Sequence, residues 1–260
     1  MALKPLLLIQ AGTPPDDIRN AHGDLSLWFS VALDRHAEAI QVVRVFEGER
    51  LPAPEAVAGA IITGSWDMVT DRLPWSETTA RWIRQAMAIE LPIFGVCYGH
   101  QLMADALGGQ VDYHPGGREI GTQTVRLHAG AQLDPLLNVV PAEFPAHLTH
   151  MQTVIALPAG AQVLAASDHD PHQIVRYGRN AISTQFHPEF TPDICAAVIR
   201  LRADVLVREG RDLDALLASV EDAPVPLGLL RRFVKQAMSS QDAFANTQSI
   251  FFEKEIRCLT

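Results

Sequence analysis

Four short apolar runs divide the first hundred residues of the chain, and this alternation constrains its fold more than any other feature. The runs are "PLLLIQ", "IQVVRVF", "VAGAIITG" and "LPIFGV". Amphipathic segments lie between them, among them "SETTARWIRQAMAI", which offers Ser76 as a helix cap and Glu77 in the first turn. Apolar strands separated by helices are typical of parallel sheets that are covered on both faces. The sequence therefore predicts an α/β fold, a doubly wound and mostly parallel sheet with helices on both faces.

The pattern changes at Gln110. Shorter, hairpin-connected strands are predicted as far as Ser167, among them "QVDYHP", "GTQTVRLH", "HMQTVIALP" and "AQVLAAS". The chain returns to helix in "ICAAVIRLRADVLVREG" and becomes polar after Gly210. We therefore predict a smaller antiparallel section within a domain of residues 1–205, followed by a helical or irregular C-terminal extension of residues 206–260.

Charge and cysteine content narrow the class of protein. The formal net charge is -9 and the longest basic run is the pair Arg231–Arg232, which argues against nucleic acid or an anionic membrane as a partner. Cys97, Cys195 and Cys258 form an odd, scattered set that fits free thiols in a reducing compartment. The first apolar run is too short for a signal-peptide core, and no run is long enough to span a membrane. We expect a cytoplasmic protein.

Cys97 has an unusual frame, "GVCYGHQ", at the end of the fourth apolar run. Ligands bind at the carboxyl ends of parallel strands, and Gly95 and Gly99 would relieve crowding in a tight strand-to-helix turn. A helix that begins near Tyr98 would direct its positive end at the sulfur and favour the reactive thiolate. The alternative is a buried structural cysteine on a core strand. The paired glycines favour the functional interpretation.

A second motif, "QFHPEF", offers a base and a group to orient it. His187 and Glu189 are two residues apart in a segment that Pro188 biases toward extended backbone, so their side chains face the same side. A metal pair and a surface turn are the alternatives. Further ligands for a metal would have to come from dispersed histidines, which a fold could still bring together. We expect no metal and no cofactor. The sequence alone does not establish that Cys97 and His187 meet.

Together the two motifs closely resemble those of the class I glutamine amidotransferases, in particular the glutaminase of GMP synthetase. The resemblance spans roughly Leu6 to Ile199. It implies that Cys97 is the nucleophile that attacks the side-chain amide carbon, that His187 is the acid and base, and that Glu189 orients it. Gln101, about one helical turn beyond Cys97, is implied to contact a glutamine-like substrate.

Two loops depart from the family pattern. In "IITGSWD", Gly64 matches a glycine-rich oxyanion loop, often Ser-Gly-Gly-Pro, whereas Ser65 and Trp66 replace its second glycine and its proline. The resemblance implies an oxyanion hole made of backbone amides of Gly64 or Ser65 with Tyr98. A simple turn at the end of a strand is the alternative.

The other loop is "HLTHMQTV", where the GMP synthetase glutaminase has Ser-His-Gly-Asp. Thr149 and His150 match in kind and are predicted to bind substrate. Met151 stands where a glycine allows close backbone approach, and Gln152 stands where an aspartate sits. A plain strand edge is the alternative. This departure bears on substrate choice and on coupling to a synthetase more than on the Cys–His chemistry.

Three functions remain open from the sequence. The chain has no G-x-x-x-x-G-K-[ST] motif, and the sixty residues after Arg200 are too few for a typical synthetase domain. The first function is a glutaminase that releases ammonia to a separate synthetase subunit. The second is a stand-alone hydrolase of γ-glutamyl peptides or amides, and the third is a non-catalytic regulatory binding module. The expected partners are glutamine or a γ-glutamyl small molecule, with a synthetase subunit or a second copy of the chain as candidates.

Overall fold

The computed structural model describes residues 4–34 and 40–239. Cys258 and the end of the predicted tail lie outside these residues. Eleven strands are present in the described part of the chain: β1 Leu6–Gln10, β2 Ile40–Arg44, β3 Gly59–Ile62, β4 Ile93–Val96, β5 Gln110–Tyr113, β6 Glu119–Leu127, β7 Glu143–His150, β8 Gln152–Ala156, β9 Gln162–Ala166, β10 Ile174–Arg176 and β11 Ala181–Thr184. The α-helices there are α1 Asp16–His22, α2 Leu25–Ala32, α3 Pro74–Ala88, α4 Tyr98–Ala106, α5 Pro192–Leu201, α6 Ala203–Arg208, α7 Leu213–Ala218 and α8, residues 224–239.

Nine of the strands form one sheet, in the order β2-β1-β3-β4-β11-β10-β9-β6-β7. Strands β2, β1, β3, β4 and β11 pair in parallel, and the remaining four continue the sheet in antiparallel pairs. β5 and β8 form a separate antiparallel pair. The predicted fold class, a doubly wound and mostly parallel sheet with a smaller antiparallel section, is therefore confirmed.

The central strands are buried from both sides. All four residues from Leu6 to Ile9 are fully buried, and they alternate between the two faces of the sheet. Leu6 and Leu8 belong to one apolar cluster, whereas Leu7 and Ile9 belong to the other. Helices that cover both faces explain why this strand is apolar throughout instead of alternating with polar residues.

Strand β7 was not recognised as a separate strand, and Pro145 is the reason. A proline cannot donate a backbone hydrogen bond to a sheet ladder, so it weakens any strand prediction. β7 is the last strand of the sheet, and only β6 pairs with it. At such an edge the missing donor costs little, because no partner strand lies beyond it.

Helix α3 begins three residues earlier than a Ser76 cap would place it. Pro74 takes its first position, where a missing N–H costs nothing, and Leu73 is the cap residue. The cap prediction for Ser76 is therefore wrong. Ser76 is buried inside the first turn, and its hydroxyl oxygen accepts a hydrogen bond of 2.7 Å from the Tyr98 hydroxyl.

The described part of the C-terminal extension packs on the main sheet. Leu229 and Phe233 of α8 lie in the same buried cluster as Phe94 of β4, and the Phe94 and Phe233 rings are 5.2 Å apart. The predicted division at residue 205 stays a prediction. None of the helices in residues 4–34 and 40–239 is long and apolar enough to cross a membrane.

Candidate active site

Cys97 lies at the junction between β4 and α4, at the carboxyl end of a parallel strand. Its backbone has φ 51° and ψ -99°, a conformation that L-residues rarely adopt and that costs on the order of 1–3 kcal/mol. The Cys97 N–H donates to the Thr184 carbonyl of the neighbouring strand β11 at 2.8 Å, which fixes the turn. The strain is held at one residue, as the predicted strand-to-helix turn requires.

The two glycines of the frame are needed because strand and helix cross closely. A β-carbon on Gly95 would lie 2.6 Å from the Gly99 carbonyl oxygen and 2.7 Å from Met103 Sδ. A β-carbon on Gly99 would collide with the carbonyl oxygen of Ile62 on β3. The glycines therefore allow α4 to start directly against the sheet, with its N-terminus at Cys97.

His187 and Glu189 meet as the motif predicts. His187 Nδ1 donates to Glu189 Oε1 at 2.8 Å, and the imidazole stacks on Phe190 with ring centroids 4.0 Å apart. Both side chains are buried. His187 Nε2 has no hydrogen-bond partner among the residues that the structure describes. Because Nδ1 carries the proton that Glu189 accepts, Nε2 is the nitrogen left to exchange a proton with a ligand or a thiol.

Gly64 brings the loop after β3 against both groups. A β-carbon on Gly64 would lie 2.9 Å from His187 Cε1 and 3.7 Å from Cys97 Cβ. The structure therefore places Gly64, Cys97 and His187 together, although they come from three different strand ends.

A second histidine–carboxylate pair lies beside the same cysteine. His150 Nε2 lies 2.8 Å from Glu119 Oε2, and His150 Nδ1 lies 2.9 Å from the Gln152 carbonyl oxygen. A carbonyl accepts only, and so does an ionised carboxylate, so both ring nitrogens carry protons and the ring is a cation. The charges of Glu119 and Asp170 outweigh burial, which acts to lower the pKa of His150, and raise it.

Glu119, His150 and Asp170 form the one group of candidate metal ligands in the described residues, with their ligand atoms within 4.8 Å of one another. The carboxylate of Glu119 also accepts from Ser167 and Gln173, at 2.6 Å and 2.8 Å. Because both nitrogens of His150 are protonated, this group is better described as a charged hydrogen-bond network than as a ligand set. It was missed in the sequence, where Glu119 gave only the weak signal of a charged residue at the start of a strand.

The surrounding charges set the state of the thiol. Burial alone would raise the pKa of Cys97, but the charges of His187 and His150 lower it below its ordinary value. Burial acts to lower the pKa of His187, but the charges of Glu189 and Cys97 raise it. A thiolate next to an imidazolium is the state that these directions favour.

An open cleft with about 360 Å³ of empty space leads to Cys97. Its walls include five further residues that the sequence singled out: Ser65, Tyr98, Gln101, Thr149 and His150. The cleft therefore brings together segments that follow β3, β4 and β7.

The predicted substrate-binding residues differ in which of their polar atoms remain free to bind a ligand. Gln101 donates its side-chain N–H groups to the Gln152 carbonyl and to Gln185 Oε1, so only its own amide oxygen remains for a ligand. The Thr149 hydroxyl is buried without a hydrogen-bond partner in the described residues. The backbone carbonyl oxygen of Thr149 lies 3.9 Å from Cys97 Sγ.

Of the predicted oxyanion residues, Ser65 and Tyr98 line this cleft, and Gly64 lies beside Cys97 and His187. The backbone N–H groups of Gly64, Ser65 and Tyr98 donate to no other residue within 4–34 or 40–239. Tyr98 keeps its side chain out of the cleft, because its ring packs against Trp75 and its hydroxyl donates to Ser76. The contribution of Tyr98 to the cleft is therefore its backbone.

Gln152 holds the loop after β3 in place. Its side-chain oxygen accepts from the Val69 N–H at 3.1 Å, and its amide nitrogen donates to the Thr70 hydroxyl at 2.6 Å. The glutamine that replaces the family's aspartate thus bonds to the protein itself.

Two arginines of the cleft were also missed. Arg118 precedes β6 and Arg202 lies between α5 and α6, and both line the cleft with Cys97. They are 84 positions apart in the chain (202 minus 118), so no local pattern joins them. Arg202 also marks the point where the helix predicted over this region divides in two.

Comparisons with known proteins identify the family of the chain. The sequence model of the family described as glutamine amidotransferase class-I matches residues 32–198. The chain is 34% identical over 140 residues to a glutamine-hydrolysing GMP synthase of Leifsonia xyli subsp. xyli, a match that covers 53% of this chain and 27% of the synthase. It therefore spans about a quarter of that relative's length.

Two other proteins match over nearly their full length. γ-Glutamyl peptidase 5 of Arabidopsis thaliana is 22% identical over 232 residues, which is 85% of this chain and 89% of the peptidase. The crystal structure of a glutamine amidotransferase from Thermotoga maritima superposes with a TM-score of 0.72 at 22% identity, covering 91% of this chain and 99% of that chain. This likeness shows the fold, and the family match covers more than half of the chain. The chain belongs to the class I glutamine amidotransferase family.

Proposed function

We propose that the chain is a cysteine hydrolase of γ-glutamyl amides, in which Cys97 is the nucleophile, His187 the acid and base, and Glu189 the group that orients His187. The observation that carries this proposal is the strained Cys97 turn beside a histidine whose Nε2 has no partner. A strained nucleophile at the end of a parallel strand is typical of hydrolases that form a covalent acyl intermediate.

The hydrogen bonds of the two neighbouring histidines support His187 over His150 as the base. Both nitrogens of His150 are bonded to acceptors, so His150 has no lone pair to take a proton from the thiol. His187 keeps one nitrogen available and has a carboxylate on the other. We assign His150 a different role, as a buried cation that favours the Cys97 thiolate.

The reaction then runs in two steps. The thiolate attacks the amide carbon of the γ-carboxamide, and the oxyanion is held by backbone N–H groups of Gly64 or Ser65 and Tyr98, one such donor contributing roughly 3 kcal/mol. The imidazolium of His187 gives its proton to the departing nitrogen, which leaves as ammonia or an amine. His187 next takes a proton from water, which attacks the γ-glutamyl thioester and releases glutamate and the free thiolate. Gln101 and Thr149 are the proposed side-chain contacts of the γ-glutamyl group.

Glutamine and γ-glutamyl peptides are the two candidate substrates. The synthase relative has glutamine hydrolysis in its name, and a glutaminase of this size would hand its ammonia to a separate synthetase subunit. The peptidase relative, which matches over 89% of its own length, favours a self-sufficient γ-glutamyl hydrolase. A non-catalytic binding module is the third candidate, and the buried Cys97 and His187 with shifted pKa values speak against it.

The deciding experiment is a substrate panel with the purified chain alone. Glutamine, γ-glutamylglycine and γ-glutamyl-p-nitroanilide are supplied to the wild type and to Cys97→Ala, and released ammonia, glycine or nitroaniline is measured. Turnover of any of the three by wild type but not by Cys97→Ala supports the hydrolase. Equal rates in both proteins would overturn the role of Cys97. Absence of turnover, together with no alkylation of Cys97 by a γ-electrophilic glutamine analogue, would favour the binding module.

A further inference from the structure

The cleft has a positive end that the proposed chemistry does not use. Among the described residues, its lining contains two guanidinium groups, Arg118 and Arg202, and one carboxylate, Asp67. Asp67 is exposed, so solvent screens its interaction with the arginines. Because Glu119 already pairs with His150, the cations of this wall that remain for a ligand are Arg118 and Arg202.

Arg118 is buried and under-used. Its side chain is 6% exposed, and its nitrogen Nη2 donates to the weak acceptor Met151 Sδ at 3.0 Å. The carboxylate of Glu209 lies 3.5 Å from Arg118 Nε, yet this nitrogen makes no hydrogen bond within the described residues. A buried guanidinium with five donors usually has carboxylate or carbonyl partners for most of them. Arg118 thus retains donors that no acceptor within residues 4–34 or 40–239 satisfies.

Arg202 has even fewer partners. Its side chain makes no hydrogen bond or ion pair with any residue of 4–34 or 40–239, and its Nε is buried. Burial and the positive charge of Arg118 lower the pKa of Arg202, so the two guanidinium groups repel each other. Two adjacent cations that share one partly exposed glutamate are costly unless an anion joins them.

We infer that Arg118 and Arg202 together bind a carboxylate of the substrate, so that the cleft selects γ-glutamyl compounds that carry a free carboxylate away from the scissile amide. Paired guanidinium groups match a carboxylate through charge and forked hydrogen bonds. This inference rests on the proposed function, because it assigns the arginines to the substrate of Cys97. The carboxylate belongs either to the α-carbon of the γ-glutamyl group or to the leaving peptide, and suitable substrates distinguish the two sources.

The test compares KM and kcat for substrates with and without each carboxylate. Glutamine is paired with glutamine α-amide, and γ-glutamylglycine with γ-glutamylglycinamide. In Arg202→Gln we expect KM to rise at least tenfold for the substrate that carries the recognised carboxylate. For the matching amide, KM should change less than twofold. For both substrates, kcat should stay within threefold of the wild-type value. Arg202→Lys keeps the positive charge but lacks the paired N–H donors of a guanidinium, so its KM should lie between those of wild type and Arg202→Gln. Arg200→Gln, an exposed arginine two residues away, is the matched control and should leave KM unchanged.

Each outcome bears on the inference. A change confined to glutamine against its α-amide assigns the α-carboxylate, and a change confined to γ-glutamylglycine against its amide assigns the leaving group. An equal rise in KM for charged and neutral substrates in Arg202→Gln would overturn the carboxylate site. Arg118→Gln repeats the comparison, with the melting temperature measured to separate loss of binding from loss of folding.

Direct binding measurements distinguish failure of the carboxylate site from failure of the proposed hydrolase function. If wild type turns over no substrate, calorimetric titration of L-glutamate and of γ-glutamylglycine into Cys97→Ala and into Cys97→Ala with Arg202→Gln still tests the arginines for both carboxylate sources. Binding to the first protein that weakens at least tenfold in the second supports the carboxylate site without any catalysis. Equal binding to both, or no binding to either, would overturn it.

Discussion

Gly64 packs against His187 so closely that a β-carbon at position 64 would lie 2.9 Å from His187 Cε1. The loop that carries the proposed oxyanion donors and the proposed base therefore occupy one tight space. Any side chain at position 64 must displace one of them.

Gly64→Ala should consequently reduce turnover more than stability. We expect kcat to fall about 10- to 100-fold, because a shift of a fraction of an ångström misplaces the imidazole. Steady-state kinetics and the melting temperature are the measurements. Gly178→Ala is the control, since a β-carbon there meets only Met87 Cε at 3.8 Å, an ordinary contact. Unchanged kcat in Gly64→Ala would mean that the ring and the loop are not coupled in this way.

Cys97 should react as a thiolate below the pH at which cysteines normally ionise. Alkylation by iodoacetamide, followed by peptide mass spectrometry, is expected to show an inflection below about 8.5 for Cys97. His187→Asn should move that inflection to higher pH, because it removes a charge that lowers the pKa of Cys97. Cys195 is the internal control, since burial raises the pKa of its thiol to about 12 and it should stay unmodified. A wild-type inflection above 8.5 would contradict the ion pair.

Glu119→Gln should destabilise the fold, because it leaves the His150 cation with less compensation. Removing one partner of a buried pair costs about 3 kcal/mol, which urea unfolding would measure. The pKa of His150 is higher in the folded protein than in the unfolded chain. The His150–Glu119 pair therefore contributes its full stabilisation below the unfolded pKa of about 6.5 and loses it as the pH rises through the folded pKa.

The difference in unfolding free energy between wild type and Glu119→Gln should therefore narrow at alkaline pH. Glu143→Gln, at an exposed glutamate paired with Arg126, is the control and should leave stability unchanged at every pH. A difference that stays constant with pH would show that His150 is neutral in the folded protein.

Gln152→Ala should loosen the loop after β3 without altering Cys97. The Val69 N–H and the Thr70 hydroxyl would lose their partner, so hydrogen exchange at Val69 is expected to accelerate. KM should rise, because this loop forms part of the cleft wall. Gln162→Ala, at an exposed residue of β9, is the control for exchange elsewhere. Persistent protection at Val69 would show that other contacts hold the loop.

The features that the sequence predicted well are local ones. The central strands and the Gly95–Cys97–Gly99 frame could be predicted because strand, turn and helix follow one another in the chain, and so could the His187–Glu189 contact, whose residues are two positions apart. The pairing of His150 with Glu119 spans 31 positions and depends on the register between β6 and β7. The meeting of Arg118 with Arg202 depends on the whole fold.

The exact start of α3 and the edge strand β7 were also hard to predict, for a different reason. In both places a proline interrupts the pattern that predicts a helix or strand. The free-energy cost of its missing N–H depends on whether a strand or a helical turn lies next to it to accept that hydrogen bond. Pro74 starts a helix because the first N–H is not needed there, and Pro145 is tolerated because β7 has a neighbour on one side only.

Helix α8 has a consequence for how this activity could be transferred to another protein. Leu229 and Phe233 belong to the same buried cluster as Phe94, Val96 and Cys97. A graft of the first 205 residues onto a foreign partner would carry the nucleophile but would expose to water the part of this cluster that α8 covers. For protein engineering, the smallest portable unit extends to the end of α8.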